Sequence, residues 1–204
     1  MAKGKAKRIL LDNLGSKNPV FMQTLGICST LAVTNSVKNT VVMSLGLIFT
    51  TAFSALFVSL LRKSMPARIR MMVETLIIAA FVIIVDIVLR AFVPDVSRQL
   101  GPYVGLIITN CIIMGRMEAF ALNNPPGISF VDGAAAGIGY AYVLLIVAVF
   151  RELLGSGTFW GLAVFGDWWT NWAIMVMPPG AFFMLAAFIW IVKGVFIKSD
   201  GEAK

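Results

Sequence analysis

The sequence contains no histidine. That one absence excludes haem ligation through imidazole, His-based zinc centres and imidazole general-base catalysis. Charge is scarce too: only 13% of the 204 residues are Asp, Glu, Lys or Arg, and ten of them are acidic. Cysteine occurs twice, at Cys28 and Cys111, too few for a four-thiolate metal site within one chain. A disulfide between them would need oxidising surroundings, and neither cysteine is expected in a solvent-facing loop. No early apolar run with a small-residue cleavage site follows the basic N-terminus, so no removable signal peptide is expected.

What remains is apolar. Hydrophobic residues make up 59% of the chain and the mean hydropathy is +0.88. A soluble domain of this size could not hide that much apolar surface, so lipid is the expected solvent. The length suits a single integral membrane domain, 1–204. A net charge of +7 would suggest nucleic acid as the partner of a soluble chain. Here the Lys and Arg residues flank apolar runs, as membrane topology requires, and no nucleic-acid partner is expected.

A helix needs about 20 apolar residues to cross a hydrocarbon core of about 30 Å. Reading between charges gives six segments: Val20 to about Thr34, Thr40 to Leu61, Met71 to Leu89, about Leu100 to Gly115, Gly133 to Phe150, and about Trp172 to Val192. The second carries no charge, whereas the third carries Glu74 and Asp86. "NNPPG" at Asn123 to Gly127 signals a loop, and Pro178–Pro179 should begin or kink the sixth segment. Thirteen of the seventeen Lys and Arg fall on the N-terminal side of this arrangement. The other four, Lys38, Arg90, Arg98 and Arg151, fall in the opposite loops. The bias places both termini in the cytoplasm. Basic residues followed by Ile9, Leu10, Leu11 and Leu14 suit the inner leaflet surface. Trp168, Trp169 and Trp172 suit an interface belt on the outer side.

The segments fall into two halves, 1–99 and 100–204. Each half opens with a short, polar-interrupted segment holding one cysteine, "LGICSTLAVT" and "GLIITNCIIMGRMEAFA". A long span follows, ending at "LLRKS" or "FRELLGSG", and a third closes the half. Three spans are an odd number, so consecutive halves insert in opposite senses. The expected fold is an all-α membrane protein of two inverted-topology three-helix repeats, with half-helices as first and fourth segments. "VTNS" at Val33 to Ser36 against "ITNC" at Ile108 to Cys111 is the competing correspondence, which would pair Cys111 with Ser36.

If the two short segments meet, Cys28 and Cys111 approach each other within the membrane. Two thiolates in lipid are costly unless a cation compensates them. Soft thiolate donors suit an iron–sulfur cluster held by four cysteines, half of them from a second chain of similar build. The opposing reading is plain: buried thiols are usually small hydrophobes.

These same motifs carry a resemblance. "LGICSTLAVT", "GLIITNCIIMGRMEAFA" and "FRELLGSG" resemble the D-type membrane subunits of sodium-translocating NADH:quinone reductases, over Asn18 to about Val192. The paralogous E-type subunits of Rnf electron-transport complexes are similar but fit less well around "LGICST", while "MPPGAFF" leans towards them. The resemblance implies an electron-relay subunit in the bacterial inner membrane, without a complete active site of its own. It also implies an inverted-topology sister subunit, further membrane and flavin subunits, and a 2Fe–2S centre on two cysteines from each sister, matching Cys28 and Cys111. "GSGTF" at Gly155 to Phe159 has the wrong residue order for a covalent flavin motif; it is read as a turn, and no flavin is expected in this chain.

Other features have simple readings. Glu74 could pair with Arg70, Asp86 with Arg90 one turn on, and Arg116 with Glu118. "GAAAG" at Gly133 to Gly137 reads as close helix packing rather than a nucleotide loop. An Rnf-type role in electron exchange between ferredoxin and NAD is one rival. A small secondary transporter and a structural scaffold are others; both predict indifference to loss of the thiols.

Overall fold

The computed structural model describes residues 25–66, 68–92, 101, 103–155, 157–159, 162–163 and 177–201. Helix α1 (Ile27–Val33) is followed by α2 (Val37–Leu61) and α3 (Arg70–Phe92). A helical stretch at 103–108 breaks at 109–110. Helix α4 (Cys111–Arg116) then winds on into a π-turn (Met117–Ala121), before α5 (Pro126–Gly155) and α6 (Pro178–Gly201). Among the described residues the fold is helical apart from one two-residue antiparallel pair, β1 (Thr158–Phe159) with β2 (Leu162–Ala163). It lies where "GSGTF" reads as a turn, and Gly157 there has a left-handed φ of 63°.

Helices α2 and α5 form the centre. In lipid there is no hydrophobic drive between helices, so association depends on close backbone approach at small residues. Gly133 and Gly137 provide it: a Cβ on Gly133 would lie 2.8 Å from the Thr51 carbonyl oxygen, and one on Gly137 3.0 Å from Ile48 Cα. Further along α5, Glu152 reaches Val37 at the start of α2. Partners retreat along α2 as α5 advances, so the two helices run antiparallel. Phe53 of α2 links to Phe81 of α3 and Phe130 of α5, with ring centroids 6.0 and 5.6 Å apart, within the range of favourable aromatic pairing. The outer face of α3, including Leu76, Ile83 and Ile87, is exposed, which suits contact with lipid.

Four described helical segments are long and apolar enough to cross a membrane: Val37–Leu61, Arg70–Phe92, Tyr103–Ala121 and Pro126–Gly155. A shorter apolar stretch, Pro179–Val192, lies within α6. Pro178 begins α6, where a missing N–H costs nothing. The fifth segment differs from its expected bounds, because α5 extends past both Gly133 and Phe150. Asp132 and Arg151, which look like boundaries, are buried inside it. Pro126 and Gly127 likewise belong to α5 rather than to the loop. The start of the first segment, the amphipathic N-terminus, Arg98 and the three tryptophans of the expected belt lie outside the described residues.

Candidate site at the two helix breaks

Each cysteine sits in the first turn of a helix, just after a non-helical stretch of backbone at 25–26 or 109–110, and these two breaks are made differently. At the first, Gly26 adopts a left-handed conformation (φ 80°, ψ 16°), and α1 begins at the next residue. An L side chain is strained there. Space forbids it as well: a Cβ on Gly26 would lie 2.6 Å from Ile112 Cδ1 and 2.8 Å from Tyr140 Cε2. At the second break, Asn110 is extended and its side chain accepts the Ile112 N–H at 3.0 Å, an N-cap that satisfies one of the open donors of α4. Cys28 and Cys111 therefore both lie in the first turn of a short helix, at its positive end.

The structure joins these two breaks. The Gly26 N–H donates to Cys111 Sγ at 2.9 Å across 85 residues of sequence. The Gly26 carbonyl accepts from Thr30 Oγ1 at 2.8 Å and from Tyr140 Oη at 3.0 Å, and Ser29 Oγ lies 3.2 Å from the same oxygen. Ser29 Oγ lies 2.5 Å from Tyr140 Oη and accepts from Asn110 Nδ2 at 3.2 Å. The result is a closed polar circuit from Cys111 through its neighbour Asn110, Ser29, Tyr140 and Gly26 back to Cys111 Sγ. Ser29, Thr30, Asn110 and Tyr140 are all buried, so such a circuit is stable only when its donors and acceptors are matched. Cys28 is exposed and Cys111 half-buried. Neither Gly26 nor Tyr140 stands out in the sequence. Asn110 before Cys111 is a legible N-cap signal, but Tyr140 lies in an apolar stretch, where only its hydroxyl hints at a partner.

The pair Arg151–Glu152 braces the other end of α1. Arg151 Nη1 donates to the Leu31 carbonyl at 3.2 Å and to Thr34 Oγ1 at 2.7 Å, while Glu152 Oε2 accepts the Val37 N–H at 2.6 Å. A cation at the C-terminus of α1 and an anion at the N-terminus of α2 each meet the favourable end of a helix dipole. Arg151 is thus no loop residue: it is buried within α5. Arg90 also lies within a helix, paired with Asp86 at 2.8 Å, as the one-turn spacing suggests.

Two other expected pairings are replaced. Arg70 bonds Glu118 at 2.5 Å rather than Glu74. Arg116 grips Asp132 with two nitrogens, Nε at 3.0 Å, rather than Glu118. Glu74 is buried, and its Oε1 has no hydrogen-bond partner among the described residues.

The chemistry available at the breaks is that of two soft sulfur donors, one carrying an amide hydrogen bond and one facing outward. Among the described residues, no three His, Cys, Asp or Glu side chains gather to hold a metal. A metal bound at Cys28 and Cys111 would need ligands from elsewhere, and exposed Cys28 is the side from which they could arrive.

Comparison with known proteins gives this arrangement a family. A protein-family model described as "Rnf-Nqr subunit, membrane protein" matches residues 6–189. A Photobacterium profundum protein, named as the D subunit of a Na(+)-translocating NADH-quinone reductase, is 48% identical over 203 residues, covering 97% of this chain and 96% of that protein. Proteins of the same name from Tolumonas auensis and Pseudoalteromonas translucida are 46% and 44% identical, covering 93% and 97% of this chain and 90% and 96% of their own lengths. The chain belongs to the Rnf-Nqr family of membrane subunits.

Proposed function

We propose that this chain is the electron-relay membrane subunit, of the D type, of a sodium-translocating NADH:quinone reductase. In this reading Cys28 and Cys111 supply two of the four thiolates of a 2Fe–2S centre. A homologous sister subunit of inverted topology supplies the other two. The observation that carries the reading is the Gly26 N–H···Sγ bond, which ties the Cys111 break to the break that presents Cys28. The residues fit the group: thiolates are the preferred donors for iron–sulfur clusters, and amide donors to sulfur are the usual means of tuning them. Names of relatives at 44–48% identity favour the quinone reductase over the Rnf complex.

When bound, such a centre supplies one-electron chemistry inside the membrane, dividing a core of about 30 Å into two shorter jumps. The chain's own residues do the rest. Cys28 and Cys111 hold the shared group, the first from an exposed position that a sister subunit would cover. The buried circuit of Ser29, Asn110 and Tyr140 fixes both breaks and keeps water from the inner side. Halves 1–99 and 100–204 insert in opposite senses, with both termini in the cytoplasm of a bacterial cell and the chain in its inner membrane. Further membrane and flavin-bearing subunits complete the enzyme, and this chain holds no flavin.

Replacing Cys28 or Cys111 with Ala in the assembled complex tests the relay. Each variant is expected to lose the iron of this centre and its EPR signal, and electrons should no longer reach quinone. NADH oxidation by an artificial acceptor acting upstream should survive. The double variant should be no worse than either single one, because ligands of one centre act as a unit. Expressed without the sister chain, the protein is expected to bind little iron. Parental iron and quinone reduction in Cys111→Ala would remove the reading and move the transporter alternative ahead.

A further inference from the structure

Tyr140 comes from α5, far in sequence from either cysteine, yet its ring and hydroxyl both close on Gly26. The hydroxyl donates to the Gly26 carbonyl at 3.0 Å and lies 2.5 Å from Ser29 Oγ, and the ring occupies the space a Gly26 side chain would need. Gly26 is a residue whose backbone would otherwise be loose, because it has no Cβ to restrict its dihedrals. Its carbonyl side is held by Tyr140 and Thr30, and its amide side points at Cys111 Sγ. Asn110 completes the constraint from the opposite break by donating to Ser29.

We propose that Tyr140 is a positioning residue that sets the reduction potential of the centre served by Cys28 and Cys111, by holding the Gly26 N–H on Cys111 Sγ. The inference rests on the relay reading above. An N–H···S bond draws negative charge from the sulfur and so favours the more negative, reduced state, which raises the potential. The thiolate itself can be held without that bond. Tyr140 therefore acts on the potential through Gly26 and touches neither iron nor thiolate in doing so.

The test compares the purified parental complex with Tyr140→Phe, which keeps the ring and removes the hydroxyl. Iron content is expected to stay at the parental level. The midpoint potential, followed by EPR in a redox titration, should fall by up to about tenfold in the reduction equilibrium, about 60 mV for one electron. Resonance Raman adds a second readout. The Fe–S stretching bands of the parent should shift on exchange into D2O, and that shift should shrink in Tyr140→Phe. Parental potential and parental deuterium shift in an iron-loaded Tyr140→Phe complex would overturn the role of Tyr140 and leave the relay standing. A parental complex without iron at these cysteines would overturn both. Should Tyr140→Phe fail to assemble, Ser29→Ala removes both the hydroxyl 2.5 Å from Tyr140 Oη and the acceptor of Asn110, so that the Tyr140 hydroxyl is less firmly held on Gly26. A smaller fall in potential there supports the proposal, and an unchanged potential overturns it.

Discussion

The two breaks each lead into a short cysteine-bearing helix, and they do so by different chemistry. At the first, a glycine in the left-handed region turns the chain, and no side chain caps α1. At the second, an asparagine side chain caps α4 and the backbone stays extended. Their cysteines differ in the same way: Cys28 follows its break by one further residue and faces out, whereas Cys111 opens its helix and bonds inward to Gly26. Non-helical backbone at membrane depth is tolerated only where its polar groups find partners in protein or water. The first break is stabilised by tertiary donors arriving at the Gly26 carbonyl, and the second largely by its own local cap. One break should therefore be sensitive to volume and the other to the loss of a single hydrogen bond.

The largest effect expected from this difference is at Gly26. Gly26→Ala puts a Cβ into a left-handed residue, at a cost of roughly 1–2 kcal/mol, and forces it against the Tyr140 ring and Ile112. Overpacking of this kind adds about 1–3 kcal/mol. Reduced thermal stability of the complex, together with loss of iron, is the expected outcome. Parental stability and iron would mean that Gly26 can leave the left-handed region without disturbing Cys111, which would break the comparison.

Asn110 should matter less. Asn110→Ala removes the cap on α4, about 1 kcal/mol, and the bond to Ser29, about 1 kcal/mol more. Asn110→Ser sharpens the point, since a serine can still cap Ile112 but is too short to reproduce the amide donor to Ser29. The expected order of thermal stability is parent, then Asn110→Ser, then Asn110→Ala. Equal stabilities for the two variants would show that the link to Ser29, rather than the cap, holds the second break.

How much of this can be read from sequence depends on whether a residue acts locally. The uncharged run of α2 is legible because hydropathy alone decides it, and Pro178 marks the start of α6 because a proline ring is tolerated in the first turn of a helix. The cysteines can be singled out by their rarity and by the polar runs around them. Asp132 and Arg151 mislead, because a charge paired inside the protein looks the same in sequence as one that ends a span. Their partners, Arg116 for the first and the end of α1 for the second, are set by packing. The same holds for Glu118, whose partner Arg70 lies 48 residues away. Tyr140 is the extreme case: its role exists only once α1, α4 and α5 meet.

The smallest expected effect concerns access rather than stability. Cys28 is exposed while Cys111 is half-buried and accepts an amide hydrogen bond. A thiol must be reachable to react, whatever its ionisation. In membranes containing this chain without its sister subunit, a small maleimide should therefore label Cys28 faster than Cys111, as judged by mass spectrometry of the two peptides. In membranes with the whole complex, the relay reading expects labelling at Cys28 to drop to the level of Cys111, since it puts the sister subunit over the surface that exposes it. The fold of this chain need not change for that drop to occur; covering one face of α1 is enough. A Cys28 that stays fully reactive in the active complex cannot be a ligand across that interface, and the difference between the two breaks would then reflect packing within one chain alone.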